Sequence, residues 1–560
     1  MNISMVRRWA RAHWPPLLAT LFLLLSVADF TSSALSLTGG QLVYALDDAY
    51  IHMSIARNLV EAGVWGVTPY GFASASSSPL WTALIALSYI PFGANEITPF
   101  ALNLVFAIAL NFALHHVLTR HGVSAVLSLV VQLAVIILVP VYTLILGGME
   151  HVLQILVNVL FIGYAAQMVS ESAPAPLRSR QWFVLLLLGA LVGSARYEGL
   201  FLVLIFCVWL ALRWRVIHAI LLGAVSIAPT ALFGLYALAQ GWSFLPTSLL
   251  VKSDAGYLSS AGPGALLTYF IADTYQIFAN QHVFSLMVLT VLAAFLLRYA
   301  RERTVWDAPS LMGLSFVVIA FVNVRLVSWP FPGTYARYEA YLVPLGLLAI
   351  AVLLSAYLPR RLSPRDVPAY MVALLLVAFL FNDIYERYRF LTFDNPAVTG
   401  SLNIYQQQYQ MAGFLREHYP SAVVAANDIG AINYFTAIDN VDLWGLGTIE
   451  VARARADNQY NTRRIYEINA ERGTQIALVY EAWFYEFGGL PSEWRFAGAW
   501  VVANNVILGD ERVSFFAVDP NEFDDLRAAL DDYAAHLPEG VLYLSPDDLR
   551  DDDNDDDLRE

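Results

Sequence analysis

The sequence predicts a polytopic α-helical membrane protein of about eleven spanning helices, followed by a small extracytoplasmic α/β domain. Three observations carry this. The 560 residues are 58% hydrophobic and 14% charged, against roughly 25% charged residues in soluble domains, and the mean hydropathy is +0.56. Long apolar runs recur from Trp14 to Phe381. From about Asn382 the pattern changes to apolar strands, VVAAND, VDLWGL, IALVYEAW and VSFFAV, interleaved with helix-like stretches such as QQYQMAGFLREH, a mixture that reads as α/β.

The first run, Trp14–Leu37, follows the three arginines of MVRRWARAHW, which place the N-terminus in the cytoplasm. Ser32–Ala34 would serve as a signal-peptide cleavage site, but the run is long for a signal peptide and reads as a retained helix. Its Asp29 must sit near the outer end or face protein. Further segments are Pro79–Phe92, Thr98–Leu118, Val123–Leu146, Val152–Val169, Gln181–Ser194, Leu200–Leu212, Val216–Leu238, His282–Leu297, Leu311–Val324, Ala340–Leu358 and Val367–Phe381. Gln181–Leu212 reads as one bent segment or a short hairpin.

Positive charge sets the sides. RSR (Arg178–Arg180), RWR (Arg213–Arg215), RYARER (Arg298–Arg303) and Arg360, Arg361 and Arg365 belong in the cytoplasm. Counting back from RSR, the helix over Thr98–Leu118 starts outside, where the first helix also ends. Pro79–Phe92, about 14 residues, therefore does not span and reads as interfacial or re-entrant. The expected division is a membrane module over 1–382 with its first external loop at 38–97, an external α/β domain over 383–545, and an acidic tail over 546–560. The tail carries much of the net charge of −14 and reads as disordered. No internal repeat is evident. The single cysteine, Cys207, excludes an intrachain disulfide.

Asp47 and Asp48 open LDDAYIHMSIARNLVEAG, whose Ile51, Ile55 and Leu59 form one helical stripe. The helix dipole favours acid there. One Asp suffices as a cap, and two side by side at a membrane interface are costly unless something uses them. His52 lies one turn from Asp48. Glu150, in LGGMEHVLQ, has apolar sequence on both sides and is a functional candidate by default, or a cap on the next helix. GSARYEGL supplies Arg196 and Glu198, and PGTYARYEAYLVP supplies Arg337 and Glu339, as neutralised pairs or as ligands. Lys252, in LPTSLLVKSDAG, is the sole lysine among 32 basic residues. Lysine and arginine are the natural binders of phosphate oxygens. All of these residues fall on the external side.

The sequence has no P-loop, GxSxG, HExxH or CxxC, so nucleotide chemistry and hydrolase triads lack support, and nothing is basic enough for nucleic acid. A carboxylate that takes a proton from a hydroxyl, with cations for a departing phosphate, suits transfer from a lipid-phosphate-linked donor.

DDAYIHMSIARNL followed by ASASSSPLW resembles the first external loop of GT-C glycosyltransferases, polytopic enzymes that use polyprenyl-phosphate sugars. The resemblance is strongest to the bacterial branch near the mycobacterial terminal arabinofuranosyltransferases. GGMEHVLQ is similar to that branch's G-[LM]-E-T-x-L-F, with His151 in place of Thr, and ARYEG to its R-P-E-G, with Tyr197 in place of Pro. LPTSLLVKSDAG, ARYEAYLVPL and NDIGAINYF with VDLWGL resemble later motifs in the same order, over most of residues 40–450. The resemblance implies a GT-C-like fold and an inverting single displacement. It implies Asp47 and Asp48 as the acid site, one of them the base, and Glu150 as a second carboxylate. It implies Lys252, Arg196 and Arg337 as donor-phosphate ligands. His52, Glu198 and Glu339, read from their positions in the sequence, are further candidates for the substrate site. Some members hold a divalent metal (Mg, Mn or Ca), for which Asp48 and Glu150 would be the ligands, and others use none.

The expected partners are a polyprenyl-phosphate sugar, an extracytoplasmic glycan, lipid or protein acceptor, and the bilayer. Trp and Tyr of the external domain read as core, or as a surface for sugar rings. Two other readings stand beside this one. The first is a transporter or flippase for a lipid-linked or acidic solute, coupled through Asp29 and Glu150. The second is a binding protein with a dead site.

Overall fold

The computed structural model describes residues 13–172, 176–252, 281–299, 306–326, 337–357, 364, 367–393 and 395–548; of the expected acidic tail, 549–560 lie outside them. The membrane module contains α1 (Trp14–Leu37), α2 (Asp48–Glu61), α3 (Pro79–Phe92), α4 (Ile97–Arg120), α5 (Ala125–Leu138), α6 (Val141–Leu146), α7 (His151–Ser170), α8 (Arg180–Ala195), α9 (Gly199–Leu212), α10 (Val216–Ala239), α11 (Thr247–Lys252), α12 (Gln281–Tyr299), α13 (Ala308–Leu326), α14 (Leu342–Tyr357) and α15 (Val367–Phe393). Five of these (α1, α4, α7, α10 and α13) are long and apolar enough to cross a membrane, and six more are shorter apolar helices.

The helix ends follow local chemistry. α1 begins at Pro15–Pro16, where the missing N–H groups have no partner to lose, and stops before Gly39 and Gly40, both at positive φ. α3 is capped by Ser78, which accepts from Trp81 N–H, begins at Pro79 and is closed by Gly93. Its 14 residues rise about 21 Å, short of the roughly 30 Å hydrocarbon layer. Val123–Leu146 is two helices, α5 and α6, because Pro140 has no N–H to continue the ladder. Gln181–Leu212 is likewise two, α8 and α9, which meet at the turn of Arg196, Tyr197 and Glu198. α15 runs past residue 382 to Phe393.

The remainder comprises α16 (Pro396–Ile404), one π-helical turn (Tyr405–Tyr409), α17 (Gln410–His418), β1 (Val423–Ala426), α18 (Ala431–Phe435), β2 (Asp439–Asp442), α19 (Ile449–Ala456), α20 (Thr462–Arg472), β3 (Ile476–Val479), β4 (Arg495–Val502), β5 (Arg512–Ala517), α21 (Phe523–Tyr533) and β6 (Val541–Leu544). The sheet order is β2-β1-β3-β5-β4-β6. β1 pairs parallel with β2 and β3, and the other pairings are antiparallel. Both faces are covered, as the period of two requires. Val424, Ala426, Ile476, Leu478, Val513 and Phe515 pack with Phe414, Leu526 and Leu530. Their neighbours Ala425, Ala477, Val479 and Phe516 pack with Val451, Ile465 and Ile468 on the other face.

α2 joins the two parts and is buried on two sides. Ala49, Tyr50 and Met53 pack against Ile404, Ala431, Tyr434 and Val502 of the C-terminal domain. Ile51 and Ile55, the stripe read from the sequence, pack with Trp242, Ile429 and Leu446. Leu59 turns to the helix bundle.

Candidate active site

At the domain end of the bundle, segments far apart in sequence bring a set of charged side chains together. The start of α2 supplies Asp48, and one turn on, His52. The serine run before α3 supplies Ser77. The Gly147–Gly148 turn delivers Glu150 to the start of α7. The α8–α9 turn supplies Arg196 and Glu198, and the turn before α14 supplies Arg337, Tyr338 and Glu339.

Glu150 is fully buried and held on three sides. Arg196 Nη1 donates to its Oε1 at 2.5 Å, and Ser77 Oγ donates to the same oxygen at 3.2 Å. Its Oε2 lies 3.6 Å from His52 Nε2. Arg196 Nε also donates to Glu198 Oε1, at 2.5 Å. The His52 ring is fixed between Thr82 Oγ1, 2.7 Å from Nδ1, and Ser77 Oγ, 3.3 Å from Nε2. Burial pushes the Glu150 carboxyl up. Arg196, His151 and His52 more than reverse this, and it ends at about 2. Burial opposes charge on Arg196 too, but Glu198 and Glu150 raise its pKa. This carboxylate is a fixed anion.

Asp48 is different. Its side chain keeps 23% of its surface and meets Arg337 Nη2 at 2.9 Å. Arg337 is buried; its Nε and Nη1 have no hydrogen-bond partner among the described residues. The Tyr338 ring lies 5.1 Å from the Arg337 guanidinium and 5.5 Å from that of Arg196, which links the two cations through one π face. Glu339 is buried in the same turn.

Asp47 points elsewhere. Its two oxygens accept from the N–H groups of Gly430, at 2.7 Å, and Ala431, at 2.8 Å, in the C-terminal domain. Burial and the neighbouring Asp428 raise its carboxyl to about 8, against the lowering effect of those N–H groups. Asp428 in turn accepts from Tyr480 Oη at 2.7 Å and Gln408 Nε2 at 2.8 Å. Two adjacent aspartates thus serve two different clusters.

Lys252 ends α11, and its side chain lies outside the described residues. The start of that helix is placed by Thr247, whose Oγ1 donates to Ser74 O at 3.0 Å and Leu446 O at 2.8 Å. Asp48 and Glu150, the residues considered for a divalent cation, are each paired with a guanidinium already. That donor set, neutralised and flanked by two buried cations, does not fit a dication.

Sequence reasoning passed over Ser77, Tyr338 and Arg57. Ser77 lies in the quoted ASASSSPLW and Tyr338 between two chosen residues, but neither carries a charge to draw notice. Arg57 is an ordinary helical arginine until the domain is in place.

A family model described as a domain of unknown function (DUF8728) matches residues 402–516. No curated protein matches the chain. Among solved structures it is similar to ArnT from Cupriavidus metallidurans bound to undecaprenyl phosphate, with 13% identity over 90% of this chain and 98% of that one and a TM-score of 0.48. It is similar also to the archaeal oligosaccharyltransferase AglB from Archaeoglobus fulgidus in complex with an inhibitory peptide and a dolichol-phosphate, with 11% identity over 96% and 76% of the two chains and a TM-score of 0.46. A third is the arabinofuranosyltransferase AftD from Mycobacteria, with 14% identity over 90% of this chain and 42% of that one and a TM-score of 0.40.

Proposed function

We propose that this chain is an integral membrane glycosyltransferase of GT-C type. It moves a sugar from a polyprenyl-phosphate donor to an acceptor hydroxyl on the extracytoplasmic face, with inversion. The observation that carries the reading is the Asp48–Arg337 pair: a part-exposed carboxylate held at 2.9 Å by a guanidinium whose Nε and Nη1 are buried without a hydrogen-bond partner among the described residues. The order of motifs in the sequence supports the same reading.

The roles follow from the geometry. Asp48 takes the proton of the acceptor hydroxyl. The acceptor oxygen forms a bond to the anomeric carbon as the bond from that carbon to the phosphate oxygen breaks. Arg337 Nε and Nη1 receive the charge that develops on the leaving lipid phosphate. Arg196 is already bound to Glu150 and Glu198. It holds the floor of the site and contributes field more than direct contact. His52, fixed by Thr82 and Ser77, shapes the wall beside Glu150. Lys252 is a further ligand for the phosphate. The arginine-rich ends of the helices support an extracytoplasmic site.

The test is sugar transfer in membranes containing the protein, with a panel of labelled polyprenyl-phosphate sugars. Asp48→Asn lowers the rate on the order of 10² to 10⁴, while donor binding persists. Donor that binds and crosses the bilayer without being consumed would instead favour a flippase.

A further inference from the structure

α18, the five-residue helix Ala431–Phe435 of the C-terminal domain, lies along α2 and is gripped at both ends by side chains from the two ends of α2. At its start, the Asp47 carboxylate accepts from Gly430 and Ala431 N–H. At its end, Arg57 donates to the carbonyl oxygens of Tyr434, Asn433 (3.1 Å) and Thr436 (3.3 Å). A short helix leaves N–H groups open at one end and C=O groups at the other. Oxygen acceptors at the first and a cation at the second satisfy those open groups, and the cation is the charge the dipole favours at that end. Between the grips the contact is aromatic and close: the Tyr50 ring lies 5.9 Å from Tyr434 and 5.4 Å from Phe435. Gly430 permits the approach, because a Cβ there would come within 2.0 Å of Asp47 O.

Asp47 and Arg57 stand ten positions apart, about 15 Å along the helix. Asp48 and His52 lie between them. We infer that Asp47 and Arg57 are positioning residues through which the segment from Asp428 to Thr436 sets the pose of Asp48 and His52. The domain is then a part of the acid site and not a tethered appendage. A role of this kind is assigned to a stretch that falls within the domain of unknown function at 402–516. The activity arm of this inference rests on the proposed transfer reaction; the structural arm does not.

The experiment uses the full chain in detergent or nanodiscs, as wild type, Arg57→Ala and Asp47→Asn. Amide hydrogen exchange is followed in peptides covering α2 and, as an internal control, β1 and β3. A hydrogen-bonded grip is lost or weakened in each variant, so exchange in α2 rises about tenfold, with β1 and β3 unchanged. At saturating donor the transfer rate falls about tenfold, with donor KM held, because the base is displaced while the donor ligands stay. Unchanged exchange in α2 overturns the clamp. Faster exchange with an undiminished rate overturns the positioning role. Should Arg57→Ala also deprotect β3, Arg57→Gln, which keeps a donor without the charge, is judged by the same criteria. If no donor is consumed even by wild type, the transferase reading fails, and the exchange data still decide the clamp.

Discussion

Arg337 and Asp48, 289 positions apart in the chain, meet through one contact, Nη2 to Oδ2 at 2.9 Å. The pairing leaves the other two nitrogens of the guanidinium buried without a hydrogen-bond partner among the described residues. A buried donor without a partner costs about 1–3 kcal/mol, so the arrangement is poised for an anionic ligand that supplies oxygen atoms.

Arg337→Lys keeps the charge and loses the fork. Lysine is a point charge and does not reproduce a bidentate contact. Donor KM in the membrane assay should rise about tenfold or more, as expected for a lost charge-assisted hydrogen bond, with acceptor KM little changed. An unaltered donor KM would move the phosphate away from this residue.

The Glu150–Arg196 pair is structural first. Removing one partner leaves a buried charge alone, which costs about 3–5 kcal/mol. Arg196→Met should therefore lower the thermal midpoint more than the double variant Arg196→Met/Glu150→Gln. The pair also sets an acid limit. The carboxyl is lowered from 4.5 to about 2, so its contribution is present above about 4.5 and is lost as pH falls toward 2, roughly 3 kcal/mol in all. Unfolding followed between pH 5 and 2 should show this slope in wild type and not in Glu150→Gln.

Asp47 has the opposite sign. Its carboxyl is raised from 3.8 to about 8, so the folded state holds a proton that the unfolded chain releases. Stability from this group is full below about 4 and declines as pH rises toward 8. The thermal midpoint should fall over that range. Asp428→Asn removes the neighbouring charge and should flatten the slope, as should Asp47→Asn. A midpoint flat from pH 4 to 8 in wild type would refute the raised carboxyl of Asp47.

Gly148 precedes Glu150 at φ +69°, and a Cβ there would stand 2.6 Å from Tyr44 Cδ1 and 2.8 Å from Ala49 Cβ. Both are buried, so neither can move aside. Gly148→Ala should destabilise by more than 1 kcal/mol. It should also slow transfer, since α2 and the Glu150 turn are pushed apart. Retained stability would show that the turn can relax.

The sequence made the helices legible because each carries an apolar run with its own stop signal. Pro79–Phe92 was found to the residue, since Ser78, Pro79 and Gly93 mark its ends. Pro140 was passed over as a break because hydrophobicity does not dip there. Two of the six strands, β1 and β3, lie within the quoted stretches, β5 starts one residue earlier, and β2 shares only Val441 and Asp442 with VDLWGL. β4 and β6 lie in none of them, since RFAGAWVV carries a glycine at an irregularity in register between Phe496 and Gly498, and VLYL is short and half-exposed. At the site, charged residues in apolar surroundings drew attention to Asp48, Glu150, Arg196 and Arg337, and the structure brings these together. The separation of Asp47 from Asp48 was not legible. It depends on Gly430 and Asp428, which sit nearly 400 positions further on and whose local sequence says nothing about what they approach.

The grip of Arg57 on Tyr434 spans 377 positions. A ribosome adding about 5–20 residues per second takes roughly 20–75 seconds to cover that interval. Throughout it, the two apolar faces of α2 lack the part of their cover that Ile404, Tyr434 and Leu446 supply. The helix is made long before its partners in the C-terminal domain. Ribosome stalling, or truncation before residue 428, should leave full-length helices in the membrane with an acid loop that is accessible to protease, and this would make the loop a reporter of whether synthesis had finished.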